Sequence, residues 1–130
     1  MLEVLPMQSK TEQEALCARC GTTYDPELMA YGASVDGESV GICQFTITDE
    51  GGSLRDIAVL PGHTAFETPF LLGRAALNFI DLCGVHCAYY DGIVGDESLI
   101  KAIGFEKRDD GRYYVDLTDF FISPCQHHKN

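Results

Sequence analysis

The stretch Glu67-Thr-Pro-Phe-Leu-Leu-Gly-Arg-Ala-Ala-Leu-Asn-Phe-Ile-Asp81 opens a helix behind a predicted strand and carries one glycine, Gly73, near its first turns. A glycine in that setting lets backbone amides approach a phosphate, and the helix macrodipole favours an anion at the same end. It also serves where two elements must pack closely, and the residue types leave both uses open. Arg74 and His63 are the nearby groups able to add positive charge.

Thiol chemistry is the next possibility, because the chain has six cysteines and a C-x-x-C at Cys17-Ala-Arg-Cys20. Reactive pairs of this kind sit at helix N-termini, where the dipole lowers the thiol pKa. This pair falls at a predicted helix C-terminus, which works against a thiolate. Cys83, Cys87, Cys125, His127 and His128 supply ligand types for zinc, yet no paired C-x-x-C spacing links them. Cys17, Cys43, Cys83 and Cys87 fit better as small buried hydrophobes. No G-x-S-x-G is present to set a serine nucleophile on a strand-to-helix elbow.

Composition narrows the partners. Twenty Asp and Glu against nine Lys and Arg give a net charge of −11 over 130 residues. Affinity for a phosphate backbone rests on basic side chains releasing counterions, so nucleic acid is not an expected partner. An acidic field favours a cationic ligand and also keeps a surface solvated. The first ten residues lack the basic and apolar regions of a signal peptide, and no run approaches a membrane span, so a cytoplasmic location without membrane contact is expected.

The elements that must position any site follow from periodicity and turn signals. Leu2 to Met7 reads as a strand, and Ser9 with Glu12 has capping-box spacing before a helix over Lys10 to Cys20, closed by Gly21. Strands are expected over Leu28 to Val35, Ser39 to Thr48 and Ser53 to Leu60, separated by Asp36-Gly37 and Asp49-Glu-Gly-Gly52. Thr68 and Pro69 suit the N-cap and first position of a long helix whose apolar residues recur from Leu71 to Cys83. Val85 to Tyr90 predicts a strand and Asp96 to Ile103 a short helix. A closing hairpin is expected over Phe105 to Arg108 and Arg112 to Leu117. The order β, α, β, β, β, α, β, α, β, β implies an α+β fold, a mixed three-layer domain with helices flanking a mainly antiparallel central sheet.

Three stretches make this order resemble the GNAT family, the Gcn5-related N-acetyltransferases: Val40 to Gly62, Leu71 to Gly84 and Ser98 to Leu117. Ile57-Ala-Val-Leu-Pro61 is similar to the fourth strand of that family running into its CoA loop, and Ile103-Gly104-Phe105 to the L-G-F that ends its last helix. The resemblance implies a GNAT-like acyl-CoA N-acyltransferase domain over residues 1–122, followed by a mobile tail at 123–130. It implies acetyl-CoA as co-substrate and a small-molecule or peptide amine as acceptor, and it is compatible with a homodimer.

Carried over by position, the resemblance implies that Ile57 and Val59 orient the thioester and that Phe70, Leu71, Leu72, Gly73 and Arg74 meet the pyrophosphate. Asp56 is the carboxylate placed to deprotonate the amine, and Tyr89 or Tyr90 to protonate the departing thiolate. The chain departs from the family loop Q/R-x-x-G-x-G/A, reading Thr68-Pro-Phe-Leu-Leu-Gly73, and Ile100 stands where many members have a tyrosine. These departures, with the hydrophobic Phe66, also fit a second class: a GNAT-fold module that has lost catalysis and serves in binding.

Overall fold

A computed structural model describes residues 1–121. The tail expected at 123–130, with Cys125, His127 and His128, lies outside the described residues. The chain runs β1 (Leu2–Pro6), α1 (Lys10–Cys20), β2 (Met29–Val35), β3 (Glu38–Thr48), β4 (Gly51–Val59), α2 (Glu67–Leu82), β5 (Cys87–Tyr90), α3 (Glu97–Ile103), β6 (Glu106–Lys107) and β7 (Tyr113–Asp116). This is the predicted order, with boundaries displaced by a few residues.

Local chemistry accounts for the helix ends. Ser9 accepts the Glu12 amide at 3.1 Å, and Gly21 closes α1 in the left-handed region at φ 77°. Asp96 caps α3 by accepting the amides of Ser98 and Leu99. The start of α2 differs from expectation: Phe66 already has helical angles at the N-cap position, and Glu67 begins the helix. Thr68 therefore lies inside the first turn and is buried, and Pro69 follows it where a missing amide costs no helical bond.

One seven-stranded sheet has the order β1-β2-β3-β4-β5-β7-β6. Every pairing is antiparallel except β4 with β5, which α2 joins as a parallel crossover. Alternation along β3 sends Ile42 into a core shared with Leu16 and Cys17 of α1, and Cys43 and Phe45 into the larger core under α2. Helix α1 thus covers one face, while α2 and α3 cover the other.

Close approach to the sheet depends on missing side chains. A Cβ on Gly52 would lie 2.5 Å from Ile80 Cδ1, and one on Gly41 would lie 2.9 Å from Val59 Cγ1. These gaps let Leu72, Ala76, Leu77 and Ile80 reach full burial. Full burial of each large aliphatic side chain contributes about 1.5–3 kcal/mol.

Burial also stores pH sensitivity. It pushes the Cys43 thiol up to about 12 and that of Cys17 to about 11, both from 9.0, and the Tyr90 phenol from 10.0 up to about 12. Each group holds its proton more tightly in the folded chain, so its stabilising contribution is complete below the unfolded value and is lost as pH rises through the folded one. The urea midpoint should stay level over about pH 6–8 and fall between about pH 9 and 12, less steeply for Cys43→Ala. A midpoint unchanged up to about pH 11 would contradict this account.

Candidate functional site

Between Cys43 paired with Ile57 and Phe45 paired with Leu54, β4 contains one residue more than β3. Arg55 and Asp56 together oppose Gln44, which is a β-bulge. In a regular strand neighbouring residues face opposite sides, but here both side chains turn to the α1 face. Ser53, Arg55, Asp56 and Ala58 lie on that side, while Leu54, Ile57 and Val59 face α2.

Gln44 fixes what stands over the bulge. It is 2% exposed; its Oε1 accepts from Gln13 Nε2 at 2.9 Å and the Asp25 amide at 3.2 Å, and its Nε2 donates to the Thr23 carbonyl at 2.8 Å. The loop after α1 is thereby held against β4. A first cavity of about 350 Å³ forms there, lined by Thr22, Thr23, Asp25, Leu28, Gln44, Arg55, Asp56, Asp91, Gly92 and Ile93.

The parallel ladder of β4 and β5 pairs only Gly52 to Leu54 with Ala88 to Tyr90. One further bond, from the Asp91 amide to the Leu54 carbonyl at 2.7 Å, ends the contact, and the strands part. A second cavity of about 280 Å³ lies at the parting, lined by Ile57, Val59, Thr64, Pro69, Tyr90, Ile93, Gly95, Asp96, Leu99 and Ile100. Ile93 borders both cavities.

Asp56 and Tyr90 meet at that same residue. The Ile93 amide donates to Asp56 Oδ1 at 2.6 Å, and the Tyr90 hydroxyl donates to the Ile93 carbonyl at 3.0 Å. Thr22 Oγ1 also donates to Asp56, at 3.3 Å. Burial raises the Tyr90 pKa first, and the Asp56 charge raises it further. Tyr90 consequently holds its proton more tightly than a free phenol.

Several sequence-predicted site residues lie elsewhere. Tyr89 points away from the second cavity, where Arg112 covers its ring at 3.8 Å and Arg108 donates to its hydroxyl at 3.0 Å. Arg74 is occupied at the end of α3: its Nε donates to the Ile103 carbonyl at 2.6 Å, and its guanidinium lies 4.8 Å from the Phe70 ring centroid and 4.9 Å from that of Phe120. Phe66 stacks on Phe70 and is 54% exposed, outside the second cavity.

The early start of α2 moves its free amides as well. Phe70 already donates to the Phe66 carbonyl at 3.1 Å, and Leu71, Leu72 and Gly73 follow inside the helix. Amides left open by helical geometry belong to Phe66, Glu67 and Thr68. Gly73 has a different use, since a Cβ there would lie 2.6 Å from Ile103 Cδ1. Gly73 thus serves the packing of α3 on α2. The bulge was missed at sequence level because Arg55-Asp56 carries no Gly or Pro signal, although two consecutive charged residues inside a strand were a visible irregularity.

Gly73→Leu should therefore cost about 1–3 kcal/mol by overpacking, and Ile103→Ala in the same chain should recover part of that loss. Urea denaturation of both single variants and the double variant measures the coupling. Strict additivity would remove the packing role.

No protein-family model matches the chain, and no curated protein matches it by sequence. Solved structures do match in shape. An acetyltransferase of Bacillus subtilis in complex with CoA superposes with a TM-score of 0.70 at 16% identity, covering 90% of this chain and 99% of that one. The PaiA N-acetyltransferase of Thermoplasma acidophilum, in complex with coenzyme A, gives 0.67 at 15% identity over 89% and 99%. The ribosomal-protein-S18-alanine N-acetyltransferase of Escherichia coli gives 0.69 at 12% identity over 90% and 94%. With its antiparallel strands, its single parallel β4–β5 pair and its crossover helix, this chain has the fold of the GNAT N-acetyltransferases.

Proposed function

We propose that the chain is an acyl-CoA-dependent N-acyltransferase that transfers an acetyl group to a small amine. The observation that carries this reading is the parting of β4 and β5, which leaves an apolar cleft on the α2 face beside a carboxylate-bearing cavity on the α1 face. Solved proteins of the same fold are described with coenzyme A bound, and one acts on spermidine. These descriptions support an acyl-CoA and an amine as the two substrates.

In this reading the pantetheine lies in the second cavity against Ile57, Val59, Leu99 and Ile100. The phosphates meet the open amides of Phe66, Glu67 and Thr68, instead of those of Phe70 to Gly73. The amine enters from the first cavity, where Asp56 takes its proton. The free amine attacks the thioester carbonyl, whose oxygen is polarised by β4 amides beyond the bulge. As the C–S bond breaks, Tyr90 gives its proton to the sulfur, the second proton leaves the nitrogen to solvent, and Tyr90 is reprotonated from solvent. Ile100, which has no proton to give, packs beside Tyr90 in the same cleft.

A second reading rests on Glu67, which places a carboxylate in the first turn of α2 where phosphate would bind. A chain that cannot hold CoA there would be a catalytically degenerate binding module. One structure with this fold is a toxin bound to the C-terminus of its antitoxin.

Calorimetry with acetyl-CoA separates the readings: micromolar affinity is expected, and no heat at millimolar ligand would leave the binding module. With an acetylated amine in hand, Tyr90→Phe should lower kcat by about 10²- to 10⁴-fold, with the melting temperature lowered by only a few degrees through loss of its bond to the Ile93 carbonyl, and Tyr89→Phe should lower kcat by much less. Equal, small effects of the two substitutions would withdraw Tyr90 as the acid.

A further inference from the structure

We infer that the acyl acceptor is a small amino-carboxylic acid, bound as a zwitterion with its carboxylate on Arg55 and its ammonium group on Asp56; this rests on the acyltransferase reading. The bulge opposite Gln44 turns two consecutive residues of opposite charge into one cavity, where a regular strand would send them to opposite faces. A ligand that satisfies both must itself carry both charges.

The guanidinium is available for such a ligand. Asp25, Asp56 and Asp91 line the same cavity, yet Arg55 forms no ion pair with any of them among the described residues. Its Nε donates to Ser53 Oγ at 3.3 Å, which steadies the side chain, and among the described residues both terminal nitrogens are without a hydrogen-bond partner. A planar guanidinium with free ends suits bidentate recognition of a carboxylate.

Each acidic group already has partners: Asp56 accepts the Ile93 amide and the Thr22 hydroxyl, neutral donors that leave its charge unbalanced. Asp91 accepts from Arg112 at 3.2 Å and from Ser53 Oγ at 2.5 Å, so its charge is balanced from outside the cavity. Asp25 Oδ1 accepts the Glu27 amide at 2.9 Å in a local turn. Asp56 is the carboxylate that the bulge places beside Arg55, and it accepts the amide of Ile93, which borders the second cavity. At about 350 Å³ the space sits at the low end for small-molecule sites and admits a free amino acid more readily than a folded chain terminus.

The test pairs each protein amino acid with its α-amide, which keeps the amine and removes the carboxylate charge, and follows release of the CoA thiol from acetyl-CoA. At least one free amino acid should show kcat/KM about tenfold or more above its amide. Arg55→Gln should raise KM for that acid about tenfold with kcat within about twofold, leave the amide unchanged, and be partly offset in Arg55→Lys. Amides matching the acids in every pair, or an acid-to-amide ratio unmoved by Arg55→Gln, would overturn the inference. Acetyl-CoA binding is measured first: binding without acceptance of any amino acid refutes the zwitterion alone, whereas absent binding refutes both it and the acyltransferase reading.

Discussion

An extra residue in β4, placed against one residue of β3, is the constraint from which the rest of the site follows. It breaks the alternation of faces, so the charged pair Arg55-Asp56 can share one side without either group entering the apolar core. It also leaves backbone groups of both strands without regular ladder partners at that level. Opposite the bulge, the buried side-chain amide of Gln44 binds the loop after α1 through Thr23 and Asp25 and accepts from Gln13 of α1. A buried amide left unmatched costs about 1–3 kcal/mol, so this network holds α1, its loop and the bulge as one unit. Among the described residues no buried side-chain polar atom lacks a partner.

On the opposite face the constraint is steric. Helix α2 must cross from β4 to β5 and still lie close enough to seal the core, which Gly41 and Gly52 allow from the sheet side. Gly73 then lets α3 sit against α2, and Arg74 binds the carbonyls at the C-terminal end of α3 where the helix dipole is negative. The two neighbouring residues that looked suited to phosphate are thus used for helix packing. The apolar cleft exists because α2 and α3 are held together while β4 and β5 diverge.

The fold was legible in the sequence because its signals are local: Ser9 and Glu12 at a cap, Asp36-Gly37 and Asp49 to Gly52 at turns, and apolar period in α2. The site was only partly legible. Asp56, Ile57, Val59 and Tyr90, singled out by the resemblance to the GNAT family and not by spacing alone, border the two cavities. Tyr89 and Tyr90 are adjacent, so strand alternation guarantees that they face opposite ways, but sequence alone does not say which faces the cleft. The start of α2 was misplaced because Thr68-Pro69 is a strong start signal, and the turn Phe66-Glu67 before it folds helically without a side-chain cap. That shift of a few residues carried the expected amides from the open end of the helix into its hydrogen-bonded interior.

Asp56 and Tyr90 stand on opposite faces of the sheet, and a direct hydrogen bond between them is absent. They are joined instead through Ile93, which offers its amide to one and its carbonyl to the other. Space around this segment is limited, since a Cβ on Gly92 would lie 2.5 Å from Asp56 Oδ1. The phenol–carbonyl bond contributes about 0.5–1.5 kcal/mol net and the bond to the carboxylate about 1.5–3, so a displacement of Ile93 that opened passage between the cavities would release both groups, Asp56 at the greater cost. The carboxylate on one face and the phenol on the other are therefore coupled by geometry: whatever moves Ile93 changes the hydrogen bonding of both in the same step.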